Sequence, residues 1–471
     1  MLGFLHPWAD AGGGGEMVLW AVVAAALRDG HVVNVTAQTT DLSLLLPSIH
    51  HDATREVVDD AVKGGRLFFT RLRTAPLLRE QSRFTMLFLA LGSFIAALEL
   101  VVRGCPKDMF DLSGLPFSYP PLWFFGKRVH CYVHYPWIQE DMRALVANHQ
   151  TGLNNCSAVA QHRVLSNLKM IYYDVLSMIY GFMGFFADTV LVNGTWTYNR
   201  LHRSWFLNPK SIVFPPVDVA GFSPPFKDLK FLDDARENQV VCCGQFRREK
   251  RQAEAVRIYS RVLLQQPDAR LVIVGGCRGE SDWPAVEQLV EECRTLGLRC
   301  TVAWTSTKVV CHKGELGDVC LLINASRERL QSELKKSKVF LHTMEDEHFG
   351  IAVAEGLAAG CVVVAHDSGG PRLDILKPLT PEEMRMHSPY FGGVAHNGPL
   401  LRFCSQNAVA TAGILFQDSV EASAAVSRVM ATLEDFGRQR IHAQAVAILR
   451  FSDEAAFGEK VLLLSEVKKD H

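Results

Sequence analysis

The run Val339-Phe-Leu-His-Thr-Met-Glu-Asp-Glu-His-Phe-Gly-Ile-Ala-Val-Ala-Glu355 changes its periodicity in the middle. Val339 to Leu341 is a short apolar strand, and from Gly350 to Ala359 the apolar residues recur at helical spacing. Glu347 then falls in the turn at the carboxyl end of a strand, and Glu355 lies about two turns along the helix on a similar face. A carboxylate in such a place can accept two hydrogen bonds from vicinal hydroxyls, the groups that sugar rings and riboses offer. The spacing of two glutamates alone decides little, because surface helices carry Glu freely. The strand-turn-helix frame around them decides the fold class.

Outward from this frame, the same rhythm repeats. Gln239 to Cys243, Leu271 to Val274, Cys300 to Ala303, Cys361 to Val364 and Gly413 to Phe416 are further short apolar strands separated by helical stretches. Such runs indicate a parallel sheet covered on both faces. The first half starts the same way, with Leu2 to Leu5, a helix from about Glu16 to Arg28, and His31 to Ala37. Between the halves, Phe214-Pro-Pro-Val-Asp-Val-Ala-Gly-Phe-Ser-Pro-Pro-Phe226 cannot continue a helix or a central strand, and it predicts the linker.

The expected architecture is α/β, with two Rossmann-like domains, 1–215 and 216–450, whose parallel sheets face a cleft. A closing helix over 451–471, capped by Ser452, is expected to cross back toward the first domain. A chain of 471 residues fits two domains better than one core.

Lysine and arginine number 49 against 50 aspartates and glutamates, so no long-range field favours nucleic acid and an anionic ligand must be held by a few local cations. The twelve cysteines form no Cys-x-x-Cys pair, which points to free thiols in a reducing compartment. The sequons at Asn34, Asn155, Asn193 and Asn324 follow no secretory signal and are read as chance matches in a cytosol-facing protein.

Three further elements carry chemistry. Val240-Val-Cys-Cys-Gly-Gln-Phe-Arg-Arg-Glu-Lys250 is a strand, a glycine turn and then cations, so Lys250 and Arg247 can stand over an anion, with Arg248 read as solvated. Asp10-Ala-Gly-Gly-Gly-Gly-Glu16 is a glycine loop before a helix; Gly13, Gly14 and Gly15 let backbone amides approach a phosphate or sugar. It has neither the P-loop lysine nor a convincing dinucleotide fingerprint. His134 ends the apolar strand Arg128 to Val133, where a histidine can hydrogen-bond substrate.

No Asp-x-Asp motif lies in a plausible loop, so no metal is expected. Phe84 to Val102 contains Glu99 as its only charge and has the length of a membrane span. The strands on either side of it should join one sheet, which favours a helix lying in a membrane interface or a buried core helix.

Glu347-x7-Glu355 with its internal Phe-Gly, followed by Ala358-Ala-Gly-Cys-Val-Val-Val-Ala365 and Ser368-Gly-Gly-Pro371, resembles the nucleotide-sugar site of family 4 retaining glycosyltransferases of the GT-B fold. The resemblance implies that Glu347 contacts sugar hydroxyls, that the amides of His348, Phe349 and Gly350 approach donor sugar and phosphate, that Glu355 binds the ribose, and that Lys250 neutralises the diphosphate. Gln245 occupies the position where that family carries an arginine, and Arg247 is the substitute. His134 and the glycine loop are implied to face the reacting sugar.

Phe4-Leu-His-Pro7, Val133-His-Tyr-Pro136, Asn193-Gly-Thr-Trp196, Phe214-Pro-Pro-Val-Asp218, Gly275-Gly-Cys-Arg278, Leu341-His-Thr-Met344, Ala365-His-Asp-Ser-Gly-Gly-Pro371 and Arg450-Phe-Ser-Asp453 extend the resemblance over nearly the whole chain. They are similar to the α-1,2-mannosyltransferases of the asparagine-linked glycosylation pathway. That family implies GDP-mannose as donor, no cofactor, and a dolichol-linked trimannosyl-chitobiose acceptor that receives two mannoses. It also implies work at the endoplasmic-reticulum membrane surface on its cytosolic face, association with other early N-glycan mannosyltransferases, and a membrane anchor ahead of the first strand, where this sequence begins directly at the strand. The rival readings are a family 4 enzyme with another nucleotide sugar or acceptor, a non-catalytic scaffold, and a sugar-nucleotide epimerase.

Overall fold

The structure is a computed structural model that describes residues 1–49, 51–78, 85–138, 140–149, 157–205, 207–223, 236–277, 282–304, 317–386, 398–451 and 454–466. The chain forms two compact units. The first joins Met1–Pro216 to Glu454–His471, and the second is Val217–Asp453.

The first unit holds a seven-stranded parallel sheet made of β1 (Leu2–Leu5), β2 (Val33–Ala37), β3 (Leu67–Arg71), β4 (Asp108–Asp111), β5 (Arg128–Val133), β6 (Thr189–Val192) and β7 (Lys210–Ile212), in the order β3-β2-β1-β4-β5-β6-β7. The order reverses direction between β1 and β4. At such a switch point the loops leave to opposite faces and open a crevice at the strands' carboxyl ends. The helix Gly14–Arg28 covers one face with a nearly all-apolar sequence, and Val18 through Leu27 are buried. The helix begins two residues earlier than sequence spacing predicts, because the Glu16 carboxylate accepts from the Gly13 N–H and so draws Gly14 and Gly15 into its first turn.

The helix Glu454–Leu464 returns to this unit and packs on Gly14–Arg28, where Phe457, Val461 and Leu462 join the same core. A Cβ at Gly458 would stand 2.6 Å from the Ala21 carbonyl, so the crossing needs glycine there. The Ser452 cap lies outside the described residues.

The helix Thr85–Val102 is one third buried. Small residues line its inner face: Ala90, Gly92, Ser93, Ala96 and Ala97 pack inward with Leu100, while Leu87, Phe88, Leu91, Phe94 and Leu98 point out. Its single acid is turned back on the protein. Glu99 accepts from the Arg73 and Thr74 N–H groups, from the Thr74 hydroxyl and from Arg103. A second helix, Arg163–Met183, carries an outward stripe of Val164, Leu168, Ile171, Val175, Met178 and Phe182 at a helical period, all exposed. Trp123, Phe124, Phe125 and Phe185 are exposed too, and Trp123 and Phe182 both pack against Phe186 at 5.4 Å between ring centroids.

The second unit holds the other seven-stranded parallel sheet: β8 (Glu237–Cys243), β9 (Arg270–Gly275), β10 (Cys300–Trp304), β11 (Val319–Ile323), β12 (Ser337–His342), β13 (Val362–His366) and β14 (Ile414–Phe416), ordered β10-β11-β9-β8-β12-β13-β14. β11, Val-Cys-Leu-Leu-Ile, is buried along its whole length and adds a strand to those read from sequence. The reversal here falls between β8 and β12, so the Gly244–Lys250 and Glu347–Gly350 segments emerge side by side.

Ten cysteines among the described residues are free thiols. The Asn193 amide is spent inside the fold, donating to the His134 carbonyl at 2.9 Å.

Candidate functional site

In the second unit the turn after β8 is stitched to its neighbours before any ligand arrives. The Gly244 N–H donates to Val274 O at 3.0 Å and Phe246 N–H to Gly276 O at 2.9 Å, while the Gln252 amide reaches back to Gly244 O at 3.0 Å. Arg248–Lys250 form one turn of 3-10 helix that ends at Arg251 in the left-handed region, φ 49°. The Thr343 hydroxyl, just past β12, lies 3.1 and 3.0 Å from the carbonyls of Lys250 and Arg251 and ties the two strand ends together.

From this frame Lys250 Nζ donates to Glu347 Oε2 at 2.6 Å and lies 3.2 Å from the Met344 sulfur. His342 Nε2 stands 3.2 Å from the same Glu347 oxygen. Burial alone would raise the Glu347 pKa, but Lys250, His342 and His348 outweigh it and hold the carboxyl well below the usual carboxylate range. Glu347 is an anion at any physiological pH.

The turn bearing Glu347 is locked from the next loop. Ser368 Oγ accepts from the Asp346 N–H at 2.8 Å and the Gly370 N–H donates to Glu347 O at 2.6 Å. Gly369 has φ +57°, and a Cβ on it would meet the Glu347 carbonyl at 2.3 Å, so only glycine passes. Gly350, φ +109°, then caps the helix Ile351–Ala358. Phe349 is buried against Phe451, with ring centroids 5.4 Å apart, so it anchors the turn by its side chain.

One turn into that helix sits Glu355, buried, with Arg327 Nη2 3.8 Å from its Oε1. Burial pushes its carboxyl up to about 7 against the pull of Arg327, and Asp218 adds to the rise. Two glutamates eight residues apart are thus shifted in opposite directions by their surroundings, which marks a functional site more strongly than their spacing did.

The structure brings Lys250, Glu347, His348 and Gly350 to one place. It does not add Arg247 to the pair: Arg247 Nε faces the buried Asp282 at 3.5 Å. Arg251, which ends the same loop, pairs with Glu345. Sequence reading missed His342 and Arg327, which come near Glu347 and Glu355 only because one sheet gathers the ends of β8, β11 and β12. Among the described residues no three His, Cys, Asp or Glu side chains converge as a metal set.

In the first unit the matching switch point is built from β1, β4 and β5. His6, buried just after β1, places Nε2 3.0 Å from Glu16 Oε1, and the other Glu16 oxygen accepts from Gly13 N–H at 2.6 Å. Burial opposes ionisation of Glu16, but His6 and the backbone bonds prevail and lower its pKa. Gly15 is flanked by His6 and His134, both 3.9 Å from where its Cβ would stand. His134 Nε2 donates to the Leu112 carbonyl at 3.1 Å, which fixes the proton on that nitrogen and leaves Nδ1 as an acceptor. Packing depresses its pKa to about 4, so the ring is neutral at pH 7. Asp111, buried at the end of β4, shapes this corner by accepting from the Ser113, Gly114 and Leu115 N–H groups and from Tyr119 OH.

Residues 1–205 match the family described as ALG11 mannosyltransferase N-terminus, and residues 306–378 match Glycosyl transferases group 1. The chain is 34% identical over 389 residues to the GDP-Man:Man(3)GlcNAc(2)-PP-Dol alpha-1,2-mannosyltransferase of Mus musculus, covering 80% of this chain and 74% of that protein. It is 33% identical over 393 residues to the protein of the same name in Caenorhabditis elegans, covering 79% and 77%.

Among solved structures it is similar to sucrose-phosphate synthase from Thermosynechococcus elongatus, with a TM-score of 0.62 and 15% identity over 98% of this chain and 97% of that one. It is also similar to Anabaena HepE in complex with UDP and glucose, at 0.56 and 14% over 99% of each. At such identities these structures speak for the fold alone, which is GT-B. On the sequence relatives, the chain belongs to the family of GDP-Man:Man(3)GlcNAc(2)-PP-Dol alpha-1,2-mannosyltransferases.

Proposed function

We propose that the protein transfers mannose from GDP-mannose to the dolichol-diphosphate-linked Man(3)GlcNAc(2) oligosaccharide, forming α-1,2 linkages with retention at the anomeric carbon. The observation that carries this reading is the preformed Lys250–Glu347 pair, 2.6 Å apart at the switch point of the second sheet, with the buried Glu355 on the helix Ile351–Ala358 that follows. The relatives' names supply the donor and acceptor.

In this mechanism the ammonium of Lys250 and the amides of His348 to Gly350 meet the diphosphate, where negative charge grows as the sugar departs. Glu347 exchanges its intramolecular partner for sugar hydroxyls, and Glu355 accepts from the ribose. The bond between the anomeric carbon and the phosphate oxygen breaks, and the acceptor hydroxyl oxygen bonds to that carbon from the same face. Its proton passes to the departing phosphate oxygen. Charge neutralisation by side chains and amides makes a metal unnecessary. In the first unit, neutral His134 accepts a hydroxyl hydrogen bond through Nδ1, beside the glycine loop held by Glu16.

The acceptor is a lipid, and the outward apolar faces of Thr85–Val102 and Arg163–Met183 fit a membrane interface. β3 and β4, before and after the first of these helices, lie in one sheet, which a helix crossing the bilayer would separate. On this reading the protein works on the cytosolic face of the endoplasmic reticulum.

Incubation with labelled GDP-mannose and the lipid-linked oligosaccharide tests the assignment. Transfer of two mannoses in α-1,2 linkage is the expected result; transfer from another nucleotide sugar in preference, or none, overturns it.

A further inference from the structure

Arg327 opens the helix Arg327–Lys336 that follows β11, and nothing in the reading above gives it work. Its guanidinium lies 5.1 Å over the Phe222 ring and donates through Nε (3.1 Å) and Nη2 (2.7 Å) to a single oxygen of Asp218. Asp218 is itself fixed, since its other oxygen accepts from the Gly221 N–H at 3.1 Å. Arg327 is therefore clamped on two sides, and only its Nη2 remains within ionic range of Glu355, at 3.8 Å rather than hydrogen-bond distance. Three residues from three separate segments thus form a line in which the middle cation is shared unequally between two carboxylates.

We propose that Arg327, held back by Asp218, is a positioning residue that sets the charge on the ribose-binding glutamate, leaving Glu355 under-neutralised until a nucleotide arrives. This inference rests on the assignment of Glu355 to the ribose.

A carboxyl offers both of its oxygens as acceptors, one to each ribose hydroxyl, only when ionised. Among the described residues, the titratable and charged groups that face Glu355 are Arg327, Asp218 and the buried Cys243 thiol, whose own pKa burial and Glu355 both raise. Burial and Asp218 keep Glu355 close to half-protonated at neutral pH, while Arg327 opposes them. Full use of Arg327 by Glu355 would keep the acid ionised well below neutral pH and give it a competing partner in the empty site. Sharing Arg327 with Asp218 avoids both. Nucleotide binding then expels a proton below neutral pH, so affinity rises with pH and levels off once Glu355 is ionised without help.

The sign of each change follows. Removing the cation raises the Glu355 pKa, and removing the competing acid lowers it; an opposite charge at this range moves a carboxyl by about 1 unit or more. Calorimetric titration of the full chain with GDP from pH 5.5 to 8.5 reads the midpoint of the affinity rise. Arg327→Gln is expected to move that midpoint up by about 1 unit and Asp218→Asn to move it down by a similar amount. Arg327→Lys keeps the charge and is expected to stay near the parent, which separates electrostatics from damage to folding.

Glu355→Gln is expected to weaken GDP binding and flatten its pH profile. If Glu355→Gln behaves so while Arg327→Gln and Asp218→Asn lower affinity equally at every pH, the tuning role falls and the ribose assignment stands. If Glu355→Gln binds GDP like the parent, or the parent does not bind GDP, the assignment of Glu355 falls and this inference with it.

Discussion

At the carboxyl ends of β1, β4 and β5 the polar groups are turned mainly on one another: Glu16 is spent on His6 and on the Gly13 amide, and His134 is neutral with its Nε2 proton on Leu112 O, while the buried His6 Nδ1 is left without a hydrogen-bond partner. At the ends of β8 and β12 the arrangement is opposite. Lys250 and Glu347 are paired but reachable, Glu347 is firmly ionised, and Glu355 hovers near neutrality. Two sheets of the same order of construction thus offer a quiet, shape-defining corner and a charged one. Topology chooses where a ligand can sit, and the loop residues choose which ligand.

The charged corner is the place to strike hardest. Glu347→Gln and Lys250→Met are each expected to reduce mannose transfer roughly 10²- to 10³-fold, the scale of losing one charge-stabilising group in a closed site. Lys250→Met also strands a buried anion, so the double variant with Glu347→Gln should be more stable than Lys250→Met alone. A double-mutant cycle in urea checks this, and equal stability breaks the picture of a partnered buried charge.

In the quiet corner the effect moves from rate to folding. Glu16→Ala removes both the partner of His6 and the brace on Gly13, and is expected to cost about 3 kcal/mol of stability. Thermal unfolding reads it directly, and an unchanged melting temperature denies the brace its role.

Outside both corners, Leu168→Asp with Ile171→Asp disrupts the exposed stripe of Arg163–Met183. Binding to anionic vesicles should weaken roughly 30-fold, from the loss of about 2 kcal/mol of apolar burial, with circular dichroism unchanged.

Glu355→Gln sharpens the contrast within the charged corner. A carboxyl with a raised folded-state pKa destabilises the fold as pH climbs from the unfolded value near 4.5 toward about 7, so the glutamine variant should be the more stable by about 3 kcal/mol at pH 8 and equal to the parent near pH 4. Glu347, with its depressed pKa, contributes stability above pH 5 and loses it as pH falls, so its variant should show the reverse trend. His134→Asn completes the series with about a 10-fold loss in activity. Because His134 titrates near pH 4, that loss should be uniform from pH 6 to 8.

Much of this was legible in the sequence because parallel strands buried on both faces read as apolar runs, and because strand-end loops carry the functional groups. β4 escaped for the opposite reason: Asp108-Met-Phe-Asp111 spends half its residues on aspartates that the fold pairs with Arg128 and with the Ser113–Leu115 amides. Lys250 and Glu347, nearly a hundred residues apart, could be matched by family likeness alone, since their meeting depends on β8 and β12 being neighbours. Asp218, Arg327 and His342 were hidden for that reason. A side chain that works by holding another side chain leaves no spacing in the sequence to notice.

Glu454–Leu464 completes the layer over Gly14–Arg28, so the amino-terminal unit is finished by residues made only after the second unit. During synthesis that unit must wait, with Phe457, Val461 and Leu462 missing from its core, until the entire second unit has left the ribosome. A stop codon just before Glu454 would therefore injure the part of the molecule translated first, at Ala21 and Ala25, against which Gly458 packs.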